Sequence, residues 1–261
     1  MSVEVARRTA RHLATLRREG RQQSGLDPAL CPSDSAAAYE IAKLVEEELG
    51  WDVVGWKIAA TNEQMQRALR SDSPIYGRVY APGIVASPAR IDYAPLLSPI
   101  PEVEYQVRLA EDLPPRRQPY DTEEVADAVA ALHVGIELAE CRFVHDELFP
   151  ALPAILADGA GSGTLLCGPA IDDWRSRDIA DQQVVLFRDG ERCRTGTARA
   201  AMEHPLVPLT WLANELSVTG IGLRAGQWVS TGTLTGMLRP RRGQSFRADY
   251  GPFGEVVLDL V

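Results

Sequence analysis

Glu102 and Glu104 stand two residues apart in Pro101-Glu102-Val103-Glu104-Tyr105-Gln106-Val107-Arg108-Leu109, where Val103, Tyr105, Val107 and Leu109 alternate with polar residues. Alternation of this kind predicts a strand, and a period of two puts both carboxylates on one face, about 6.5–7 Å apart along the backbone. Like charges so placed repel unless they face water or share a cation. The spacing admits two readings: a solvated strand face, or hard oxygen ligands converging on Mg²⁺ or Mn²⁺. A third carboxylate, Glu137, sits alone in the apolar run Val134-Gly135-Ile136-Glu137-Leu138. Burying an unpaired charge is costly, so Glu137 must be paired, protonated, ligated or at a sheet edge. Glu140 competes for the same role if the strand register differs.

Lys57 is set in another apolar stretch, Gly55-Trp56-Lys57-Ile58-Ala59-Ala60-Thr61. Of the 27 cationic residues only Lys43 and Lys57 are lysines; the rest are arginine. Desolvation lowers a lysine's pKa and can poise it for proton transfer. The alternative is a stem lying along apolar surface with its ammonium in water. Two glycine-rich segments, Asp158–Gly163 and Thr231–Gly236, are either ligand-approach loops or plain turns. The first has neither the dinucleotide fingerprint spacing nor that of a nucleophile elbow. His204, before Pro205, is the histidine best placed for a site, while His12, His133 and His145 read as surface or core residues. No Ser-His-Asp constellation stands out.

The elements that must position these groups follow from periodicity and punctuation. Helices are predicted from Val3 to Leu16, over Ala36–Leu49 (capped by Ser33 or Asp34, stopped by Gly50), over Thr61–Arg70 with Thr61 and Gln64 as a capping box, over Asp121–Leu132 with Asp121 and Glu124, and over Leu206–Leu216. Strands are predicted at Val53–Ile58, Gly83–Val85, Glu102–Leu109, Val134–Leu138, Leu165–Cys167, Val184–Phe187, Gln227–Ser230 and Glu255–Leu260, with a hairpin turn at Asp189-Gly190. Lys43 falls on a helix among polar neighbours, and Pro114–Pro119 reads as a surface loop. Regular β-α-β alternation is absent, which argues against a doubly wound sheet or a TIM barrel and for an α+β fold. Residues 1–52 form the helical section and 53–261 the mixed-β section, expected to be one structural unit.

With 261 residues, 45% of them hydrophobic and 24% charged, the chain has material for a sizeable core. A net charge of −9 makes nucleic acid and anionic membrane surfaces poor partners. Cys31, Cys141, Cys167 and Cys193 are scattered without a C-x-x-C pair, as expected of reduced thiols. The first residues contain no apolar signal core, and no run reaches the roughly 18–20 apolar residues of a membrane helix. The expectation is a cytoplasmic location.

Taken in order, the pieces resemble the fumarylacetoacetate hydrolase superfamily, in its 2-keto-4-pentenoate hydratase / 4-oxalocrotonate decarboxylase branch. The resemblance runs from about Ala37 to the end of the chain. It rests on Gly55-Trp56-Lys57-Ile58-Ala59-Ala60-Thr61, Ser71-Asp72-Ser73-Pro74-Ile75-Tyr76-Gly77, Glu102-Val103-Glu104, Gly135-Ile136-Glu137, Leu156-Ala157-Asp158-Gly159-Ala160, His204-Pro205-Leu206 with Trp211-Leu212-Ala213, and Leu223-Arg224-Ala225-Gly226 leading to Thr231-Gly232-Thr233. It implies a mixed β-roll core with an N-terminal helical section. It also implies Mg²⁺ or Mn²⁺ on Glu102, Glu104 and Glu137, catalysis by Lys57 with Asp72, and a substrate bound near Asp158, His204, Thr231 and Gly232. The implied substrate is a 2-oxo acid and the implied assembly a homo-oligomer. The implied reaction is hydration of a 2-hydroxydienoate, with decarboxylation of a 2-oxo-3-enedioate, or metal-dependent binding without turnover, as alternatives. The sequence departs from the family's pattern at Gly159 and Gly161, where Asn and Ser are usual, and at Ala42 and Ile75.

Overall fold

The computed structural model describes residues 1–261. Two N-terminal helices, α1 (Val3–Arg18) and α2 (Ser35–Leu49), form as their caps and periodicity predict. Ser2 accepts a hydrogen bond from the Val5 amide, Asp34 caps α2, and Gly50 ends it in the left-handed conformation at φ 63°. Leu13 and Ala14 of α1 pack with Ile41 and Val45 of α2 in a cluster that also holds Tyr80, Phe143, Leu156 and Ala157. The helical pair is therefore seated on the β-rich section through this second cluster, apart from the main core.

That section contains β1 (Val53–Ala59), α3 (Glu63–Leu69), β2 (Ile75–Tyr80), β3 (Ile84–Ala86), β4 (Ala89–Ile91), β5 (Ile100–Leu109), α4 (Thr122–Asp127), β6 (Val129–Ala139), α5 (Leu152–Ala157) and β7 (Thr164–Ala170). It continues through β8 (Val184–Arg188), β9 (Glu191–Gly196), α6 (Leu206–Val218), β10 (Trp228–Ser230), β11 (Ser245–Asp249) and β12 (Glu255–Leu260). One seven-stranded sheet runs β2-β1-β10-β5-β6-β7-β3, and a five-stranded sheet runs β4-β12-β11-β8-β9. Both sheets are mixed: β1 lies parallel to β10, β3 to β7 and β4 to β12, while the other neighbours are antiparallel. The larger sheet curls, as expected of a β-roll. The uncharged face of β5, with Val103, Tyr105, Val107 and Leu109, joins the main core together with Leu209, Leu212 and Leu216 of α6.

Three expectations are corrected. The helix expected over Asp121–Leu132 keeps its capping box of Asp121 and Glu124 but stops at Asp127. Val129–Leu132 instead pair with β5, where Leu132 lies opposite Val107; ladder pairing overrides local helical periodicity. Asn62, not Thr61, caps α3, accepting from the Met65 amide. Strands β2, β4 and β11 were not predicted. β2 carries Gly77, where a Cβ would stand 2.0 Å from the Gly159 carbonyl oxygen, so the glycine that obscures the strand is what lets it approach the 158–163 loop. The hairpin at Asp189-Gly190 joins β8 to β9, with both residues at positive φ. No helix is long and apolar enough to cross a membrane.

Candidate active site

The register of β5 against β6 places Glu102 directly opposite Glu137, and Glu104 opposite Gly135. All three carboxylates are buried: Glu102 is 9% exposed, Glu104 1% and Glu137 0%. One oxygen from each lies within 4.8 Å of the others. The solvated-face reading of Glu102 and Glu104 therefore fails, because both faces of β5 are covered. Burial pushes the Glu102 carboxyl up to about 7, against the pull of Lys57. It drives Glu104 well above the ordinary range, reinforced by Glu137 and Glu102, and raises Glu137 despite the nearby ammonium.

Local contacts hold this arrangement. The Ser230 hydroxyl (2.5 Å) and the Gly232 amide (2.8 Å) both donate to Oε2 of Glu104. The Tyr250 hydroxyl lies 2.7 Å from the carbonyl oxygens of both Glu104 and Gly135, bridging β5 and β6 behind the carboxylates. Thr231 turns its hydroxyl to the Tyr105 carbonyl, 2.8 Å away. Of the Thr231–Gly236 segment, then, Thr231 and Gly232 bind the carboxylate-bearing strand. Thr233 lines the adjoining cavity.

Glu137 differs from its neighbours, because the Lys57 ammonium, 3.5 Å from Oε1, is its one close polar partner and Oε2 accepts no hydrogen bond. Opposed like charges with unsatisfied oxygens are unstable in a dry interior unless something neutralises them. One ammonium cannot balance three carboxylates. A divalent cation that prefers oxygen ligands fits the donor set, and Glu102, Glu104 and Glu137 are the residues that would hold it.

Lys57 is 2% exposed, so the reading with its ammonium in water is excluded. Its Nζ stands 3.5 Å from Oε1 of Glu137. Burial alone would lower its pKa, as expected from the sequence, but Glu137, Glu102 and Glu104 outweigh it and the net direction is upward.

A cavity of about 240 Å³ opens onto Lys57, Glu102 and Glu104. Of its 24 lining residues, 14 are hydrophobic. Gly161 forms part of the wall, and a Cβ there would come within 3.9 Å of Lys57 Nζ. The missing side chain at this position thus leaves bare space beside the lysine. His145, expected to be a surface or core residue, lines the exposed mouth and stacks on Phe149, with ring centroids 4.2 Å apart. Glu140 lines the cavity too and accepts from the Leu97 amide at 2.5 Å.

Six expected site residues lie outside the lining: Glu137, Thr231 and Gly232, whose contacts are given above, and Asp72, His204 and Asp158. Asp72 is exposed in the loop between α3 and β2. His204 is half-buried at the start of α6, where its Nδ1 accepts from the Leu206 amide. Asp158 is sealed in an ion pair with Arg142, whose Nε lies 2.9 Å from both carboxylate oxygens. Arg142 and Arg17 also donate to the carbonyls of Asp158 and Ser162. Asp158 therefore shapes the loop that carries Gly161. What sequence reasoning missed, His145 and Phe149, comes from the segment following β6, whose only local signal was an aromatic and a histidine in a polar loop; Glu140, offered by the sequence as the competitor of Glu137, lines the cavity without joining the carboxylate set.

No family model matches the chain. Among curated relatives, the 2-keto-4-pentenoate hydratase of Burkholderia vietnamiensis is 28% identical over 230 residues, covering 87% of this chain and 86% of that protein. The 4-oxalocrotonate decarboxylase of Pseudomonas putida is 25% identical over 211 residues, covering 81% and 78%. Among solved structures, 4-oxalocrotonate decarboxylase from Pseudomonas putida G7, complexed with magnesium and adipate, superimposes with a TM-score of 0.91 at 22% identity over 100% of this chain and 99% of that one. Fumarylpyruvate hydrolase from Pseudomonas aeruginosa, in complex with Mn²⁺ and pyruvate, gives a TM-score of 0.59 at 17% identity over 81% and 91%.

Proposed function

The chain belongs to the fumarylacetoacetate hydrolase superfamily, in the branch of 2-keto-4-pentenoate hydratases and 4-oxalocrotonate decarboxylases, and from that premise we propose that it is a divalent-metal-dependent lyase that adds water to 2-hydroxypenta-2,4-dienoate or a close relative. The observation that carries this reading is the buried set of three carboxylates facing one buried ammonium beside a largely apolar cavity. Mg²⁺ or Mn²⁺ on Glu102, Glu104 and Glu137 would supply Lewis acidity toward the carboxylate and 2-oxo oxygens of the substrate.

The remaining work falls to the chain's own side chains. In the reaction the dienol loses its O–H proton and gains one at C5, giving the 2-oxo-3-enoate. Water then adds across C3 and C4, its oxygen at C4 and a proton at C3. Lys57, the one cation beside the carboxylates, is the candidate to carry these protons, and its ammonium can equally hold the developing oxyanion. Ser230 and Gly232 keep Glu104 oriented. The apolar walls limit entry of bulk water, which strengthens every charge interaction inside.

A second reading is favoured by the decarboxylase relative and by the 0.91 superposition. The same site would generate the same enol by releasing CO₂ from a 2-oxo-3-enedioate. Ultraviolet absorbance with Mg²⁺ separates the two. Loss of the conjugated chromophore of 2-hydroxypenta-2,4-dienoate, abolished by EDTA, supports hydration. CO₂ release from the enedioate, with no reaction of the dienoate, supports decarboxylation. Silence toward both, with metal present, sinks the lyase reading.

A further inference from the structure

Away from Lys57 and the carboxylates, the large side chains of the cavity wall are Met65 and Leu69 of α3, Ile100, Phe149, Ile155 and Met237, with the neutral polar Thr61, Asn62, Ser98 and Thr233 among them. Arginines make up nearly all of the chain's positive charge, yet none lines the cavity. Lys57 is the only lysine or arginine there, and Glu137 already engages it. The remaining charged groups of the lining are Glu102, Glu104 and Glu140, all acidic. His145 stands at the mouth, where partial burial and nearby Arg239 bias its ring toward the neutral form; Arg239 itself is not part of the wall. A carboxylate at the far end of a bound substrate would face apolar or neutral polar side chains or another carboxylate, and no lysine or arginine of the lining stands free to meet it.

Resting on the reading of the site as one for 2-oxo acids, we propose that its ligands carry an uncharged hydrocarbon tail, alkyl or aryl, beyond the 2-oxo acid head, and that 2-oxo dicarboxylates, the enedioate of the decarboxylase reading among them, are disfavoured. Burying each methylene of such a tail strengthens binding up to roughly fourfold, the equivalent of about 0.8 kcal/mol. A terminal carboxylate loses this gain and adds the penalty of an unpaired charge in an apolar surround.

Non-reacting saturated acids test this without turnover. Calorimetry with the Mg²⁺-loaded protein should find 2-oxooctanoate binding at least about tenfold more tightly than 2-oxopentanoate. The dicarboxylate of equal length, 2-oxooctanedioate, should bind at least about tenfold more weakly than 2-oxooctanoate. Met65→Arg, on a half-buried helical position of the wall, should reverse the preference between the two eight-carbon acids. Equal or tighter binding of the dicarboxylate by the unmodified protein overturns the proposal, whether or not the variant folds. Binding in the expected order without turnover of any dienoate or enedioate leaves the proposal standing and defeats the lyase reading alone. Failure of every 2-oxo acid to bind defeats both.

Discussion

Lys57 Nζ lies 3.5 Å from Oε1 of Glu137, although Lys57 is on β1 and Glu137 on β6, with β10 and β5 between them in the sheet. In a flat sheet three strand spacings of about 4.8 Å would hold these side chains apart. They meet because the sheet curls and turns both inward. The curvature thus assembles the site, and the pair belongs to residues 80 positions apart that no local pattern connects.

If that ammonium moves protons, Lys57→Met should lower kcat by about 10²–10⁴ in a metal-replete assay. Mg²⁺ binding should persist, since the three carboxylates remain. Turnover near that of the unmodified protein would exclude the proton-carrying role.

The buried carboxylates also predict how stability depends on pH. Their folded-state values lie above the ordinary glutamate value of 4.5, with Glu102 raised to about 7. A group that holds its proton more tightly when folded stabilises the fold below its unfolded value, and that contribution is lost as pH rises through the folded value. Lys57, raised above 10.5, stays charged throughout this window. Metal-free protein should therefore lose stability from these groups between about pH 5 and 8. Mg²⁺ competes with the protons, so the rise in Tm on adding it should be larger at pH 8 than at pH 5. Taking that difference largely cancels His133, His145 and His204, whose lowered values bias stability the other way. A Tm increment that is flat or falls with pH would contradict the assignment.

The strand carrying Glu102 and Glu104 was legible because period-two alternation is local. The facing of Glu102 and Glu137 was not, because register depends on how β5 and β6 align. The resemblance pointed to Asp72, but an exposed loop position is decided by tertiary packing. Asp158 was read as a substrate contact, since a motif marks a place in the chain without saying which way its side chain turns. His145 and Phe149 reach the cavity through the connection from β6 to α5, whose path no periodicity encodes.

Gly232 provides a test of how Glu104 is held. At φ +104°, and with a would-be Cβ 2.4 Å from Thr61 Oγ1, it tolerates no side chain. Gly232→Ala should displace the amide that donates to Glu104 and weaken Mg²⁺ binding by about 10–100-fold. Gly190→Ala is the control: its φ of +83° is also positive, but nothing lies within 4 Å of the new Cβ. Calorimetry should find its Mg²⁺ affinity unchanged. Equal loss in both variants would reduce the effect to general strain.

The ion pair of Asp158 with Arg142 separates a structural role from a binding one. Both side chains are 2% exposed or less, so Asp158→Asn leaves a buried guanidinium short of its anionic partner. Breaking such a pair typically costs about 3–5 kcal/mol, which thermal unfolding should register as a lowered Tm. Because Asp158 does not line the cavity, the folded fraction assayed at low temperature should keep KM within about threefold of the unmodified value. The opposite pattern, an unchanged Tm with a strongly raised KM, would return Asp158 to the substrate. The packing argues against it: Arg142 takes both carboxylate oxygens and also holds the carbonyls of Asp158 and Ser162, so the aspartate is committed to the loop that brings Gly161 beside Lys57.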